Sequence, residues 1–263
     1  MQTVKFLVYL FLFLNVIRMN SYSVIKGTIK TDKINCGSDI NINGENEIIK
    51  KIIDKSSSPM VFDVGANKGD WSLAVLRHNQ AAIIQAFEPI PSMAAFYCKN
   101  IARKNVTLNA IALSDSNGTQ QFFVCDKDKG LSSLYDRPLH YYDKVLSKTK
   151  IEVTTITLDS FCELNNIYRI DFLKIDTEGA EWKILNGSKK MLSENKISFI
   201  QFEYGGTYLD AKTTLKEVFD LLTSSGYSLY RITGKALIRE DKWRSAMENY
   251  KYSNYLASLV DLN

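Results

Sequence analysis

Short apolar runs alternate with amphipathic segments along most of the chain. Residues 44–55 carry four isoleucines at helical spacing, and MVFDVG at 60–65 is an apolar run between polar segments. They predict an amphipathic helix followed by a buried strand. The same alternation predicts helices at 70–77, 91–103, 159–165, 180–191 and 213–224, and strands at 83–89, 106–114, 119–124, 151–158, 171–176 and 197–204, with a terminal strand pair around Gly234.

Strands that alternate with helices indicate a mostly parallel central sheet with helices on both faces and a binding site at the carboxyl ends of the strands. The terminal pair predicts an antiparallel edge hairpin. We expect the turn sequence at 116–118 to make 119–124 a hairpin return strand, and Asp159 to cap the helix that follows it. The polar stretch from Asp126 to Lys150 is long for a connection, which indicates either a functional lid or a locally disordered segment.

The first 23 residues differ in pattern from the rest of the chain. The apolar run at 6–17 lies between Lys5 and Arg18 and is too short to span a bilayer comfortably. It predicts a signal peptide cleaved after Ser23 or an uncleaved signal anchor, with a misassigned start or a buried strand as alternatives. We expect an extension at 24–43, one domain at 44–263, and a secretory or membrane-anchored protein, with the cytoplasm as the alternative.

Composition excludes several classes of protein. With 45% hydrophobic and 24% charged residues in 263, the chain is neither fibrous nor disordered. A net charge of +4, part of it in Lys5 and Arg18, is too small to indicate nucleic-acid binding. The four cysteines form no CxxC pair, so we predict neither a zinc site nor a disulfide scaffold, with one or two disulfide bridges as the alternative for a secreted protein.

The sequence FDVGANKGDW places Asp63, Gly65, Asn67 and Gly69 in the turn after the first strand, where glycines let the backbone approach a ligand. The turn lacks the second glycine of the GxGxxG fingerprint, which favours an adenosyl group over a pyrophosphate. Glu88 ends the second strand in AFEPIP, where a carboxylate can accept hydrogen bonds from both hydroxyls of a ribose.

A second group of carboxylates follows the later strands. Asp176 ends the strand in KIDTEGAEW, where it could orient a substrate hydroxyl, take its proton or bind a divalent cation. Glu178 and Glu181 follow it at a helix N-terminus, whose dipole favours negative charge. Glu203, in QFEY, faces the same rim. The candidate catalytic residues are therefore Asp176, Glu178 and Glu203, while His140 is either a base or a solvated loop residue.

The order of these motifs resembles that of the FkbM family of S-adenosylmethionine-dependent methyltransferases, which have a class I, Rossmann-like α/β fold. The matching segments lie within residues 60–240 and are VFDVGANKGDWSLAVL (61–76), AFEPIPSMAAFYCKN (86–100), VTLNAIALSDSNGTQQFFV (106–124), LSSLYD (131–136), VTTITLDSF (153–161), FLKIDTEGAEWKILNGSKKML (172–192) and FEY (202–204). The sequence QFEYGGTY departs from the more usual acidic and histidine-containing end of that strand.

The resemblance implies that S-adenosylmethionine lies over the turn at 65–69, with its ribose held by Glu88 and its adenine near Ser114 and Asp115. It also implies methyl transfer to an oxygen, often a sugar or polyketide hydroxyl. Three hydroxyl side chains of the polar stretch could bind the acceptor: Ser132, Ser133 and Tyr135.

We therefore expect an O-methyltransferase that acts on a hydroxyl of a small molecule or glycan, has no nucleic-acid partner, and associates with a membrane, if at all, through residues 6–17. Two alternatives stay open at this point. One is a divergent NAD-dependent oxidoreductase, and the other is a membrane-tethered or secreted binding module that keeps the fold without turnover.

Overall fold

The computed structural model describes residues 39–138 and 146–262, and these all belong to one compact unit, Asn35–Asn263. The apolar run at 6–17 and His140 lie outside the described residues, so the predictions made for them stay predictions. No helix within the described ranges is both long and apolar enough to cross a membrane.

Helices and strands alternate from the first described helix onward. The helices are α1 (Glu45–Ile53), α2 (Asp70–His78), α3 (Pro91–Asn100), α4 (Leu158–Leu164), α5 (Glu181–Asn186), α6 (Lys189–Ser193), α7 (Thr207–Ala211) and α8 (Leu215–Ser224). The strands are β1 (Met60–Val64), β2 (Ile83–Phe87), β3 (Val106–Asn109), β4 (Ala112–Leu113), β5 (Gly118–Cys125), β6 (Lys148–Ile156), β7 (Ile170–Ile175), β8 (Ile197–Tyr204), β9 (Ser228–Ile232), β10 (Leu237–Glu240) and β11 (Ser253–Ser258).

An eight-stranded sheet in the order β10-β9-β11-β8-β7-β1-β2-β3 forms the centre of the fold. The five strands from β8 to β3 are parallel, whereas β11 runs antiparallel to both of its neighbours and β10 runs antiparallel to β9. The predicted Rossmann-like α/β fold, with its antiparallel edge hairpin, is confirmed.

Both faces of this sheet are covered, which explains the nearly continuous apolar runs of its strands. On β1, Val61 belongs to the apolar cluster that α1 and α2 cover, whereas Phe62 belongs to the cluster on the opposite face, which includes residues of α5 and α8. Since parallel strands end at one edge of the sheet, the turns that follow β1, β2, β7 and β8 are brought together there.

The predicted strand at 106–114 is interrupted, and its hairpin is wrong. Its first part, β3, joins the central sheet, but β4 pairs with β6 in a separate three-stranded sheet of order β4-β6-β5. The strand β5 pairs antiparallel with β6, 23 residues further along, from Gly118 with Thr155 to Cys125 with Lys148. The turn sequence at 116–118 is therefore a bend between two strands that do not pair with each other.

The predicted helix at 180–191 is two short helices, α5 and α6, because the chain makes close contacts at Gly187. The Gly187 carbonyl accepts a hydrogen bond from the backbone N–H of Asp159 (3.0 Å), and a Cβ on Gly187 would lie 2.1 Å from the carbonyl oxygen of Ser114. The predicted cap at Asp159 is also wrong. Thr157 caps α4, while the Asp159 carboxylate accepts hydrogen bonds from the first turn of α6.

The last strand, β11, was not predicted from the sequence. It enters the sheet between β8 and β9, although both of those strands precede it in the chain. An inserted strand of this kind pairs with residues that are distant in sequence, so no local turn signal marks it.

Candidate active site

The turn between β1 and α2 has a backbone that only certain residues adopt easily. Gly65, Asn67 and Gly69 all have φ between 45° and 89°, the left-handed region. At Gly65 the constraint is also steric, because a Cβ would lie 1.9 Å from the carbonyl oxygen of Asp176. The backbone N–H groups of Gly65 and Ala66 both donate to the carbonyl of Phe87 (3.1 and 3.0 Å), which joins the turn to the end of β2.

Glu88 lies immediately after β2 and is only 5% exposed. Its Oε2 accepts a hydrogen bond from the backbone N–H of Asn67, and its Oε1 accepts one from that of Ile90, both at 2.9 Å. Burial raises the pKa of the Glu88 carboxyl to about 7, although both backbone donors act to lower it. The two hydrogen bonds fix the carboxylate at the junction of the first two βα turns.

A cavity of about 950 Å³ opens at this edge of the sheet. Of the residues predicted to bind the cofactor or to act in catalysis, six line it: Gly65, Asn67, Glu88, Asp176, Glu178 and Glu203. Four others lie outside the lining of the described cavity: Asp63, Gly69, Ser114 and Asp115. Their neighbours Ile111, Ala112 and Leu113 form the wall where the adenine was expected.

Asp63 is fully buried beneath the cavity. Its Oδ2 accepts a hydrogen bond from the Ser72 hydroxyl (2.6 Å), which in turn accepts one from the Tyr97 hydroxyl (2.8 Å). Its Oδ1 lies 3.4 Å from the ammonium of Lys174. The side chain therefore supports the cavity floor from below.

Asp176 follows β7 at the rim, with 40% of its side chain exposed. Its Oδ2 lies 3.2 Å from Nζ of Lys174, which makes Lys174 a shared partner of Asp176 and Asp63. Burial by itself would lower the pKa of Lys174, but the neighbouring carboxylates outweigh it and raise that pKa. The ammonium thus stays charged in the cavity floor.

Glu178 contacts Arg137, for which no local sequence pattern predicted a role. Its Oε2 pairs with the Arg137 guanidinium at 2.5 Å, and Arg137 Nε also approaches Oδ2 of Asp210 in α7 at 3.4 Å. Burial raises the pKa of Glu178 to about 7, while Arg137 acts to lower it. The guanidinium therefore ties the polar stretch after β5 to the turn after β7 and to α7.

Two further glutamates at this rim differ in environment. Glu181 is 1% exposed, and its Oε1 accepts hydrogen bonds from the backbone N–H and the hydroxyl of Thr177 (2.8 and 2.9 Å). Burial raises its pKa to about 7. The pKa of Glu203 is raised well above its ordinary value, first by burial and then by the charges of Asp176 and Glu178.

Glu45, at the start of α1, also lines the cavity and was missed in the sequence. It is 5% exposed and accepts hydrogen bonds from the side-chain amides of Gln201 (2.7 Å) and Asn254 (2.9 Å), among others. Burial raises its pKa. Glu45 is 156 residues from Gln201 and 209 from Asn254, so no sequence spacing links these residues.

The polar stretch after β5 forms one side of the cavity. Ser133 pairs with Phe123 through two backbone hydrogen bonds, and its hydroxyl donates to the carbonyl of Glu178 (2.8 Å). The Ser132 hydroxyl accepts from the backbone N–H of Cys125 (3.0 Å). Of the three hydroxyl residues predicted to bind the acceptor, only Ser132 lines the described cavity, while Ser133 and Tyr135 lie outside the lining.

The residues around Glu88 fit an adenosyl cofactor. Apolar side chains of Ile90, Met93 and Leu113 offer a surface for a purine, beside the buried carboxylate that suits a ribose diol. Within the described residues, Oδ1 of Asn67 is buried without a hydrogen-bond partner, although it belongs to the cavity lining. Residues 39–138 and 146–262 contain no group of three His, Cys, Asp or Glu residues that could hold a metal ion.

Residues 63–229 match the family model described as the methyltransferase FkbM domain. The chain is 30% identical over 176 residues to the 2-O-methyltransferase NoeI of Sinorhizobium fredii, covering 63% of this chain and 72% of that protein. It is 26% identical over 144 residues to Methyltransferase 1 of Beauveria bassiana, covering 48% and 57%. A solved S-adenosylmethionine-dependent O-methyltransferase from Thermotoga maritima aligns at 11% identity over 83% of this chain and 66% of its own, with a TM-score of 0.40.

Proposed function

Since the chain belongs to the FkbM methyltransferase family, we propose that it uses S-adenosylmethionine to methylate a hydroxyl of a small molecule or glycan. The observation that carries the proposal is Glu88, a buried carboxylate that lines the cavity and is fixed by the backbone of the Gly65–Gly69 turn. The 2-O-methyltransferase among the relatives supports oxygen as the methyl acceptor.

When bound, S-adenosylmethionine supplies an activated methyl group on a sulfonium, so the protein has little covalent chemistry to perform. The cavity residues align the acceptor and exclude water, which are the main sources of acceleration for such a transfer. Glu88 and Asn67 would hold the adenosyl part. The aliphatic wall formed by Ile90 and Leu113 would cover the purine.

The three acidic residues at the rim of the cavity have different roles in this proposal. Asp176 is paired with Lys174 and partly exposed to the cavity, so its carboxylate accepts the proton that the acceptor hydroxyl loses. Glu203 lines the same rim and is placed to form a hydrogen bond with an acceptor oxygen. Glu178, neutralised by Arg137, holds the wall of the cavity in place instead of reacting.

The cofactor is tested by calorimetric titration of the full chain with S-adenosylmethionine and, in the same buffer, with NAD. We expect S-adenosylmethionine to bind and NAD not to bind. Glu88→Ala should weaken binding about 10- to 100-fold while the protein stays folded, since hydrogen bonds to a charged group contribute about 1.5–3 kcal/mol. Glu163→Ala, an exposed glutamate on α4 outside the cavity lining, is the matched control. Preferential NAD binding, or unchanged affinity in Glu88→Ala, contradicts the proposal.

The acceptor class is tested with methyl-labelled S-adenosylmethionine and a panel of acceptors that differ only in the reacting group. Matched sugars or alcohols bearing a hydroxyl, an amine or a carboxylate separate O-methylation from N-methylation and ester formation. We expect label on the hydroxyl compounds alone. Cofactor binding without transfer to any hydroxyl would favour a binding module, and transfer to the amines alone would replace oxygen by nitrogen as the acceptor.

A further inference from the structure

A polar row crosses three adjacent strands at and below the floor of the cavity. The strand register places Asp63 of β1 beside Lys174 of β7, and Lys174 beside Gln201 of β8. All three residues are at most 5% exposed, and they lie one layer below the rim. Two residues after Asp63 and Lys174, just beyond the ends of β1 and β7, come Gly65 and Asp176, which line the cavity.

Lys174 is held from below by an ion pair with Asp63, which is itself fixed by hydrogen bonds. Tyr97 donates to Ser72, Ser72 donates to Asp63, and the other oxygen of Asp63 faces the Lys174 ammonium at 3.4 Å. The indole of Trp71 lies 6.0 Å from the ammonium. On its other side, Nζ lies 3.2 Å from Oδ2 of Asp176 at the rim.

Fold stability alone is a weak reason for a lysine at this position. A buried ion pair contributes little net stability, because removing both charges from water offsets their attraction, and apolar residues of similar size are often as stable. A buried cation does, however, fix the orientation and the ionised form of a carboxylate beside it.

We propose that Lys174 is a positioning residue, which holds the Asp176 carboxylate in a fixed orientation at the cavity rim. The proposal rests on the proposed function. As the acceptor oxygen gains the methyl group, its O–H bond breaks and the proton passes to Asp176, while the electrons of the broken S–CH₃ bond stay on sulfur. Lys174 itself exchanges no proton in this step.

The charged groups that act on Lys174 come from four places in the fold. They are Asp63 from β1, Asp176 after β7, Glu45 from α1 and Glu88 after β2. Replacing the ammonium by an apolar side chain leaves these carboxylates without their shared counter-charge. The acidic limb of the pH–rate profile should therefore move to higher pH, because ionisation without a nearby cation requires a higher pH.

The kinetic test compares Lys174→Met with Lys174→Arg in the full chain. We expect Lys174→Met to lower kcat about 10- to 100-fold, to shift the acidic limb to higher pH, and to leave the dissociation constant of S-adenosylmethionine nearly unchanged. Lys174→Arg keeps the cation and should restore the wild-type pH profile. Because the buried Asp63 charge could unfold the single variant, the double variant Lys174→Met with Asp63→Asn is measured as well.

A second measurement does not depend on turnover. The side-chain ammonium signal of Lys174 in nitrogen-15 NMR spectra should shift in Asp176→Asn and stay in place in Asp171→Asn, which alters a partly exposed aspartate of β7. The proposal is overturned if the double variant Lys174→Met with Asp63→Asn folds and keeps the wild-type kcat and pH profile. It is also overturned if the Lys174 ammonium signal does not shift in Asp176→Asn. A wild-type chain that fails to bind or use S-adenosylmethionine would instead contradict the proposed function, so the two failures are distinguishable.

Discussion

The Cα of Gly65 lies against the carbonyl oxygen of Asp176, so closely that a Cβ would be 1.9 Å from that oxygen. One residue earlier, the backbone N–H of Asp176 donates to the carbonyl of Val64 (3.1 Å). The turn proposed to hold the cofactor and the residue proposed to take the proton are thus joined through a backbone hydrogen bond and a close backbone contact. A change at the glycine must move one of them.

Gly65→Ala is therefore expected to be strongly destabilising. A left-handed backbone costs a residue with a side chain about 1–3 kcal/mol, and the clash with Asp176 adds to this. Thermal unfolding should show a clearly lower Tm. Gly205→Ala is the control, since this cavity-lining glycine has no atom closer than 3.7 Å to an added Cβ. Equal Tm values for the two variants would contradict the steric argument.

Much of the sheet could be predicted because its signals are local. The buried strands are apolar runs ended by turn residues, and α1 has its isoleucines at helical spacing. The end of β2 also placed Glu88 at the cavity, since the carboxyl ends of neighbouring parallel strands meet at one edge. Such inferences need only the chain near each residue and the rule for parallel strands.

What could not be predicted depends on contacts between distant residues. Arg137 reaches Glu178 across 41 residues, and β11 pairs with strands that precede it. The position of Asp63 below the cavity illustrates a different limit. In a strand buried on both faces, alternation does not show which polar side chain points to a ligand and which to a buried lysine.

The affinity for S-adenosylmethionine should rise with pH through neutrality. With a pKa of about 7, Glu88 is mostly protonated at pH 6 and mostly ionised at pH 8, and the ionised form accepts hydrogen bonds from two hydroxyls. We expect a roughly fivefold to tenfold lower dissociation constant at pH 8 than at pH 6. The same binding measurements on Glu88→Gln show how much of the pH dependence comes from protonation of the ligand itself. The remaining difference between the dissociation constants at pH 6 and pH 8 should be absent in this variant. The same pH dependence in both proteins would exclude Glu88 as its source.

Glu181 should make the folded protein less stable as the pH rises. Its pKa is about 7 in the folded chain against 4.5 for the ordinary group, so between these values the folded state binds the proton more tightly than the unfolded state. Stability is then lost as pH rises from about 4.5 to 7, because the slope follows the protons bound by the unfolded state minus those bound by the folded state.

The measurement is chemical denaturation at pH 5 and pH 7.5. Glu181→Gln keeps an oxygen that can accept from Thr177 and cannot ionise, so it should reduce the loss of unfolding free energy by about 1–3 kcal/mol. Glu163→Gln, at an exposed position, should leave the loss unchanged. A wild-type protein that is more stable at pH 7.5 than at pH 5, with the same slope in Glu181→Gln, would contradict this prediction.

Arg137→Met should loosen the wall of the cavity. The guanidinium, with 13% of its side chain exposed, pairs with Glu178 and Asp210. Removing it leaves two carboxylates partly buried without their counter-charge, which should cost about 1–3 kcal/mol.

Two measurements check this expectation against a matched variant. Arg239 also pairs with two carboxylates, Asp241 and Asp261, but its side chain is 34% exposed, and pairs this open to solvent contribute less. Limited proteolysis should therefore cleave the segment between β5 and β6 faster in Arg137→Met than in Arg239→Met. The KM for the acceptor should rise only in Arg137→Met, because Arg137 alone of the two lines the cavity. Equal proteolysis rates and equal KM values would mean that the Arg137 contacts with Glu178 and Asp210 do not hold the wall.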